Sequence, residues 1–109
     1  MSYGIENCLF CRIIKGEVKS DKVYEDDLLL VIKDIKPKAP THLLIMPKEH
    51  IGNIADLEPT QESLAGHLLV VAGELARKEK LDKKGFRLVV NNGHGGGQEI
   101  LHLHVHLMG

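Results

Sequence analysis

No stretch of this 109-residue sequence approaches the ~20 consecutive apolar residues that a membrane-spanning helix needs. Its first residues, MSYGIENCLF, lack the basic start and the apolar stretch of a secretory signal. Strong charge of either sign is also missing, since the formal net charge of -1 leaves no broad footprint for duplex nucleic acid or an anionic membrane. We therefore expect a cytoplasmic protein with small-molecule partners and with neither a nucleic-acid nor a membrane partner.

Cysteine is scarce, and the two that occur, Cys8 and Cys11, stand three positions apart. Two cysteines are few for a secreted scaffold held by disulfides. In a reducing compartment, a Cys-x-x-Cys pair indicates metal ligands or a redox motif. A pair of reduced, buried cysteines in a helix is the alternative. The spacing alone leaves these interpretations open.

The pattern of apolar residues predicts one α+β domain over residues 1–109, because 43% of the residues are apolar and no composition shift divides the chain. Two segments have helical periodicity, residues 8–15, which end before Gly16, and residues 60–80. Strand patterns occupy residues 23–25, 28–33, 42–46, 86–91 and 99–107. We expect a five-stranded antiparallel meander with the long helix on one face.

Three histidines alternate with apolar residues near the end of the chain, in LHLHVHL. On a strand, this alternation predicts that His102, His104 and His106 point to one face. A solvated strand edge is the alternative. Imidazole titrates near neutral pH, attacks electrophiles and binds metals, so three of them beside the glycine-rich loop NNGHGGGQ favour a site. Glycine permits close backbone approach there, and consecutive amides are able to cradle phosphate, although an ordinary hairpin turn is the alternative for the loop alone.

The segment HLHVHLM, preceded by GGGQE, resembles the signature of the histidine-triad (HIT) superfamily. The segments CLFCRIIKGE, SDKVYEDD, KDIKPKAPTHLLIMPKEHI and FRLVVNNG follow the order and spacing of its Hint branch, so the resemblance covers nearly the whole chain. It implies a purine nucleoside phosphoramidase, which cleaves a phosphorus–nitrogen bond and releases an amine and a nucleoside monophosphate. A dinucleoside polyphosphate hydrolase and a nucleotide-binding regulator with vestigial catalysis are the alternatives.

The resemblance also implies roles for the histidines. His104 matches the nucleophile that attacks the α-phosphorus and forms a nucleotidyl-histidine. Attack requires one unprotonated ring nitrogen while the other is held by an acceptor, for which we expect a backbone carbonyl. His106 matches the histidine near the phosphate and the leaving group, where a cationic donor offsets developing charge. His42 matches a supporting histidine, with a buried structural role as the alternative.

The nucleotide contacts follow from the same resemblance. Besides His104 and His106, the groups matched to phosphate binding are Asn91, Gly97, Gln98 and the backbone of Glu99. Asp34 matches the acceptor of the ribose hydroxyls, and a turn former before Pro37 is its alternative role. A purine needs a flat apolar slot, and the residues matched to its wall, which would also suit ordinary core packing, are Leu9, Phe10, Ile13, Ile32 and Ile35.

The cysteine pair resembles that of the zinc-bearing members of the superfamily, in which two histidines complete the ligand set. The implied ligands are Cys8, Cys11, His50 and His102, a closed tetrahedral set that suits structural rather than catalytic zinc. The resemblance further implies a homodimer that pairs through residues 60–91 and extends one sheet across two chains.

Two departures from the Hint branch affect the leaving group. Glu99 stands where some members have a serine, so a hydroxyl role does not carry over. The sequence also ends at Gly109, directly after the triad, so we expect one domain over residues 1–109 without the C-terminal tail usual in that branch. Both features leave the leaving-group preference open. Separately, the sequence does not distinguish adenine from guanine.

Overall fold

The computed structural model describes residues 7–109. Within this range the chain forms two α-helices and five strands. The expectation that no secretory signal begins the chain falls largely on residues 1–6, outside this range. No helix within residues 7–109 combines the length and apolar character needed to cross a membrane. In chain order the elements are α1 (Leu9–Ile14), β1 (Lys22–Glu25), β2 (Leu29–Lys33), β3 (His42–Pro47), α2 (Glu62–Lys78), β4 (Arg87–Val89) and β5 (Val105–Met108).

The predicted five-stranded antiparallel sheet is confirmed, with the strand order β1-β2-β3-β5-β4. The first three strands follow a meander, whereas β5 lies between β3 and β4 instead of at the edge. The burial of the two strands explains why β5 is central and β4 lies at the edge. Val105, Leu107 and Met108 of β5 are buried, so a central place suits that strand, while the largely exposed β4 tolerates an edge.

Helices cover both faces of the sheet. Leu29 and Val31 of β2 belong to the core beneath α2, whereas Leu30 and Ile32 belong to the core beneath α1. Because both faces are covered, β2 and β3 are almost continuously apolar. Leu44 also lies on the α1 face and pairs with His106, which places that histidine under α1.

The long helix α2 forms where the apolar periodicity predicts it, two residues shorter at each end than residues 60–80. Its stripe of Leu68, Val71 and Leu75 is buried against the sheet. A 3-10 turn over Pro59–Gln61 replaces the first predicted residues, because proline fits the start of a helical segment and Glu58 caps it.

The short helix α1 is confirmed within residues 8–15. The Cys8 sulfur caps its start by accepting the Cys11 N–H, at 3.3 Å. Gly16, with a φ of +84°, adopts the left-handed conformation that ends it. Phe10 is buried as expected, but Leu9 is 43% exposed and does not join the core.

The predicted strand over residues 99–107 is wrong over its first six residues, 99–104, since β5 begins only at Val105. Pro47 at the end of β3 has no N–H to donate to a ladder, and its carbonyl accepts the His102 side chain instead. The Leu103 N–H donates to the Ile51 carbonyl outside the sheet, and the backbone joins the ladder only after His104. Only His106 of the three histidines therefore lies on a strand, and they do not share one strand face. The strand predicted over residues 86–91 is also shorter, Arg87–Val89.

Asp26 joins the β1–β2 turn to α2. Its Oδ1 accepts the N–H groups of Leu28 and Leu29, both at 2.8 Å. Its Oδ2 accepts the Tyr24 hydroxyl and His67 Nε2–H, both at 2.6 Å. Burial alone would raise the pKa of Asp26, but these four hydrogen bonds to the carboxylate hold its pKa well below the ordinary value.

We predict that Asp26→Ala lowers the free energy of unfolding by about 1–3 kcal/mol at pH 7, because it removes the acceptor of four donors. A lowered folded pKa contributes stability above the ordinary aspartate pKa of 3.8 and loses it as the pH falls toward the folded value. The difference between the variant and the unmodified protein should therefore shrink below that pH. Denaturant unfolding at pH 7 and pH 3 measures this, with the exposed neighbour replaced in Asp27→Ala as control. Equal losses from both variants would contradict the prediction.

Candidate active site and metal cluster

His104 is buried just before β5 with one ring nitrogen engaged. Its Nδ1 lies 2.7 Å from the His102 carbonyl oxygen, and because a carbonyl only accepts, Nδ1 carries the proton. This is the backbone acceptor expected from the sequence, and it leaves a lone pair on Nε2. The edge of the Phe10 ring lies against the imidazole, with centroids 5.0 Å apart. Burial lowers the pKa of His104, although the His102 carbonyl and the charges of Asp34 and Glu99 oppose the shift.

His106 lies beside His104 on the α1 face of β5, with ring centroids 5.1 Å apart. Its Nδ1 is 2.9 Å from Nε2 of His42, a hydrogen-bond distance between two imidazoles. Burial, then the proximity of His104 and His42, lowers the pKa of His106. Both histidines next to the candidate reaction centre therefore favour the neutral form near pH 7.

The loop between β2 and β3 brings Asp34 and His42 together. The Lys38 N–H donates to His42 Nδ1 at 3.0 Å, and Asp34 Oδ2 lies 3.4 Å from His42 Nε2. Asp34 Oδ1 accepts the Lys36 N–H at 2.8 Å, so this residue also has the turn-forming role that was its alternative. One carboxylate oxygen closes the turn while the other faces the histidines.

The residues predicted as metal ligands come together around one point. Cys11 Sγ lies 3.2 Å from His50 Nδ1 and 3.5 Å from His102 Nδ1, and Cys8 Sγ lies 3.4 Å from His102 Nδ1. Metal–ligand bonds of the lengths typical of tetrahedral zinc place sulfur and nitrogen about 3.5 Å apart. Cys8, Cys11, His50 and His102 therefore lie close enough to hold a metal ion.

The protonation of this cluster also suits a cation. His102 donates Nε2–H to the Pro47 carbonyl at 2.7 Å, so its lone pair on Nδ1 faces the sulfurs, as a ligand requires. Burial lowers the pKa of His102 to about 4, which keeps the ring neutral. Burial, followed by the nearby Cys8 sulfur, raises the pKa of Cys11 to about 11 without a metal. A divalent cation would offset that cost, because it stabilises the thiolate.

The glycine-rich loop is closed by Gln98 rather than left open. Gly93 and Gly97 adopt positive φ angles of 73° and 86°, which glycine tolerates. The Gln98 amide oxygen accepts the Gly93 N–H at 2.7 Å, and its nitrogen donates to the carbonyls of Gly52 at 2.7 Å and Ile100 at 2.9 Å. Gln98 therefore holds the loop in shape, and these three hydrogen bonds already engage its side-chain amide.

Three of the five residues matched to the purine wall lie in one apolar cluster under α1, namely Phe10, Ile13 and Ile32. Ile35 is 90% exposed and stands outside that cluster. The half-buried Val18, which the sequence interpretation did not include, packs against the cluster. Only its apolar side chain soon after Gly16 marks it in the sequence, and that signal is not specific.

Leu9 lines a different space, a cavity of about 320 Å³ between the start of α1 and the glycine-rich loop. Gln98 and the exposed Glu99 line the same cavity, and Asn91 is half-buried at the start of the loop. The structure therefore separates the predicted apolar residues into a buried group and the two exposed residues Leu9 and Ile35.

Comparison with known proteins identifies the family of this chain. The family model of the HIT domain matches residues 15–109. The chain is 42% identical to Protein HitA of Neisseria gonorrhoeae, over 96% of this chain and 97% of that protein. It is 41% identical to the purine nucleoside phosphoramidase of Escherichia coli strain K12, over 95% and 87% of the two chains.

Solved structures agree with the sequence relatives. A HIT family hydrolase from Legionella pneumophila Philadelphia 1 superposes with a TM-score of 0.93 and 48% identity, covering 94% of this chain and 92% of that one. A histidine triad protein from Clostridium difficile gives a TM-score of 0.90 and 41% identity, with coverage of 94% and 89%. The chain therefore belongs to the HIT family, and so to the class of nucleotide hydrolases and transferases.

Proposed function

We propose that this protein hydrolyses the phosphorus–nitrogen bond of a purine nucleoside 5′-monophosphate derivative, with His104 as nucleophile. The observation that carries the proposal is the hydrogen bond from His104 Nδ1 to the His102 carbonyl, which leaves Nε2 unprotonated beside His106. The similarity to the purine nucleoside phosphoramidase of E. coli supports the choice of bond and base.

The reaction proceeds in two displacements at phosphorus. His104 Nε2 forms a bond to the α-phosphorus while the bond to the substrate nitrogen breaks, and the amine takes up a proton as it leaves. Water then attacks the nucleotidyl-histidine, the phosphorus–histidine bond breaks, and the water gives up one proton. One water is consumed for each bond cleaved, and His104 returns to its starting form.

The neighbouring groups hold the phosphate during these steps. His106 lies near enough to His104 to place an N–H donor on a phosphoryl oxygen, where negative charge develops. Asn91, Gly97 and the backbone of Glu99 complete the phosphate contacts, and Gln98 maintains the shape of the loop that carries them. His42 acts through His106, with which it shares a hydrogen bond.

The nucleoside lies against the α1 side of the sheet. Phe10, Ile13 and Ile32 form the buried wall against which a purine stacks. Asp34 accepts the ribose hydroxyls through Oδ2, since Oδ1 closes the turn. Ile35 is exposed in the structure, and we place its side chain over the outer side of the bound base.

We predict that His104→Ala lowers kcat/KM for an adenosine phosphoramidate by about 10³-fold or more, because it removes the attacking atom. Binding of nucleoside monophosphate should persist, since the imidazole acts mainly in the chemical step. A release assay for the amine and a titration with the monophosphate measure the two effects. His67→Ala, a histidine on α2 bonded to Asp26, is the control. Undiminished turnover in His104→Ala would reject the mechanism.

Two substrates separate the alternative functions. The purified chain should turn over an adenosine phosphoramidate faster than a diadenosine polyphosphate. The reverse preference would favour a dinucleoside polyphosphate hydrolase. Binding of nucleotide with turnover of neither compound would identify a nucleotide-binding regulator.

We also propose one structural zinc ion per chain, held by Cys8, Cys11, His50 and His102. When bound, it would supply positive charge that stabilises the two thiolates, and the four protein ligands would leave no position for water or substrate. The ligands link α1, the segment after β3 and the segment before β5. The site thus fastens the carbonyl of His102, which holds the His104 ring, to the N-terminal helix.

Elemental analysis of protein purified without chelators should find about one zinc per chain. Cys8→Ser/Cys11→Ser should lower the melting temperature, whereas the folded fraction keeps a measurable turnover, because no step passes through the metal. A protein with no bound metal would reject the site. Complete loss of turnover in a variant that stays folded would reject the structural role.

A homodimer is the oligomeric state that we propose for this chain. The edge strand β4 presents Leu88, and nearby Phe86 is also exposed. Leu69 and Val70 are exposed on α2. Exposed apolar side chains on an edge strand and a helix favour burial in an interface. Pairing along β4 would extend one sheet across two chains.

Sedimentation equilibrium at micromolar concentration should give twice the 12.1 kDa of one chain. Leu88→Lys should shift the mass toward one chain, because a charge at the edge opposes strand pairing. Lys84→Glu, an exposed change before β4, serves as control. A single-chain mass for the unmodified protein would reject the dimer.

A further inference from the structure

A chain of hydrogen bonds runs from the backbone of the β2–β3 loop to the active site. The Lys38 N–H donates to His42 Nδ1 at 3.0 Å, and His42 Nε2 lies 2.9 Å from His106 Nδ1. The His42 side chain is buried, so these contacts account for both of its ring nitrogens.

The direction of donation along these hydrogen bonds follows from the Lys38 amide. A backbone N–H only donates, so His42 Nδ1 must offer a lone pair, and a neutral His42 carries its single proton on Nε2. That proton is donated to His106 Nδ1, which must therefore be unprotonated. A neutral His106 then carries its own proton on Nε2. One backbone amide thus determines the tautomers of two histidines.

Asp34 reinforces the same assignment independently. Its Oδ2 lies 3.4 Å from His42 Nε2, and a carboxylate oxygen favours a proton on the nitrogen that faces it. The three residues Asp34, His42 and His106 also place donor atoms close enough together to hold a metal. A metal would need the lone pair of His42 Nε2, which that nitrogen gives up when it holds the proton. The hydrogen-bond geometry therefore favours a chain of protons over a second metal site.

The resulting tautomers of His104 and His106 are opposite. His104 has its proton on Nδ1 and a lone pair on Nε2, whereas His106 has its lone pair on Nδ1 and its proton on Nε2. We propose that the Lys38 amide is a positioning group that holds His106 as an Nε2–H donor beside the nucleophilic lone pair of His104. This inference deepens the proposed function and rests on it for the identity of the acceptor, a phosphoryl oxygen of the nucleotide.

The loop that carries this amide is anchored on both sides. The Asp34 N–H donates to the His42 carbonyl at 3.0 Å. Thr41 and Gly109 exchange two backbone hydrogen bonds, at 2.8 and 3.0 Å. Pro37 and Pro40 restrict φ on either side of Lys38. These restraints hold the amide in place, whereas the Lys38 side chain is exposed and takes no part in the chain of bonds.

The test reads the tautomers directly, by NMR of the ¹⁵N-labelled imidazoles in the unmodified protein at pH 8. We expect protonated Nε2 and unprotonated Nδ1 in both His42 and His106, and the opposite arrangement in His104. A proton on Nδ1 of His42 or of His106 overturns the proposal. This measurement decides the question even if the variants below do not fold.

The variant Lys38→Pro removes the amide hydrogen, and Lys38→Ala removes only the side chain. In Lys38→Pro, His42 and His106 should show mixed tautomers, and kcat for an adenosine phosphoramidate should fall about 5- to 10-fold, the effect of one lost hydrogen bond. KM should change less than about twofold, because ground-state binding is retained. Lys38→Ala keeps the amide hydrogen and loses the same side-chain charge as the proline variant, so it should retain the tautomers of the unmodified protein and is the reference for kcat and KM. A folded proline variant with unchanged tautomers overturns the proposal, as does equal loss in both variants.

Failure of the two proposals is distinguishable. If the NMR tautomers match expectation but neither substrate is turned over, the proposed reaction is wrong and the positioning of His106 stands. If turnover is normal and His104→Ala is inactive, but the tautomers are reversed, the reaction stands and the role of Lys38 is wrong.

Discussion

Burial of imidazole rings beneath α1 is the constraint on which the site depends. A buried polar atom without a partner is costly, so each ring nitrogen there requires a hydrogen bond or a ligand. His102 meets this requirement with the Pro47 carbonyl and the cysteine sulfurs, and His42 with the Lys38 amide and His106. Among His42 and the three histidines of the motif, the ring nitrogens without such a partner within residues 7–109 are Nε2 of His104 and Nε2 of His106. Packing against α1 thereby selects the two nitrogens that remain available for a substrate.

The end of the sheet at Pro47 divides the histidine motif between two tasks. Because the backbone joins the ladder only at Val105, His102 lies outside the sheet and faces the cysteines, while His106 lies on β5. His104 lies between them and bonds to the His102 carbonyl. The proposed metal ligand His102 and the proposed nucleophile His104 therefore share one short backbone segment. The orientation of the His104 ring thus depends on the backbone of a residue whose side chain belongs to the cysteine–histidine cluster.

Much of the fold follows from apolar periodicity. The stripe on α2 predicted that helix within two residues at each end, and the continuous apolar runs of β2 and β3 indicated burial on both faces. The resemblance to the zinc-bearing members of the superfamily also implied the four cysteines and histidines that cluster, whereas the Cys-x-x-Cys spacing alone left metal binding open. The exposure of Leu9 and Ile35 was not predictable from their type, since an apolar side chain serves equally in a core or in an open ligand slot.

By itself, the sequence determined the α+β class and the family, and it named the residues that we propose for the chemistry, because side-chain type and period are local properties of the chain. Tertiary structure alone decided where the last strand begins, which histidines face one another and which nitrogen of each ring carries the proton. Those outcomes depend on backbone groups outside the histidine motif, the Pro47 carbonyl for His102 and the Lys38 amide for His42. Every residue except proline has the same amide and carbonyl, so no side-chain pattern indicates which of them meets a given imidazole.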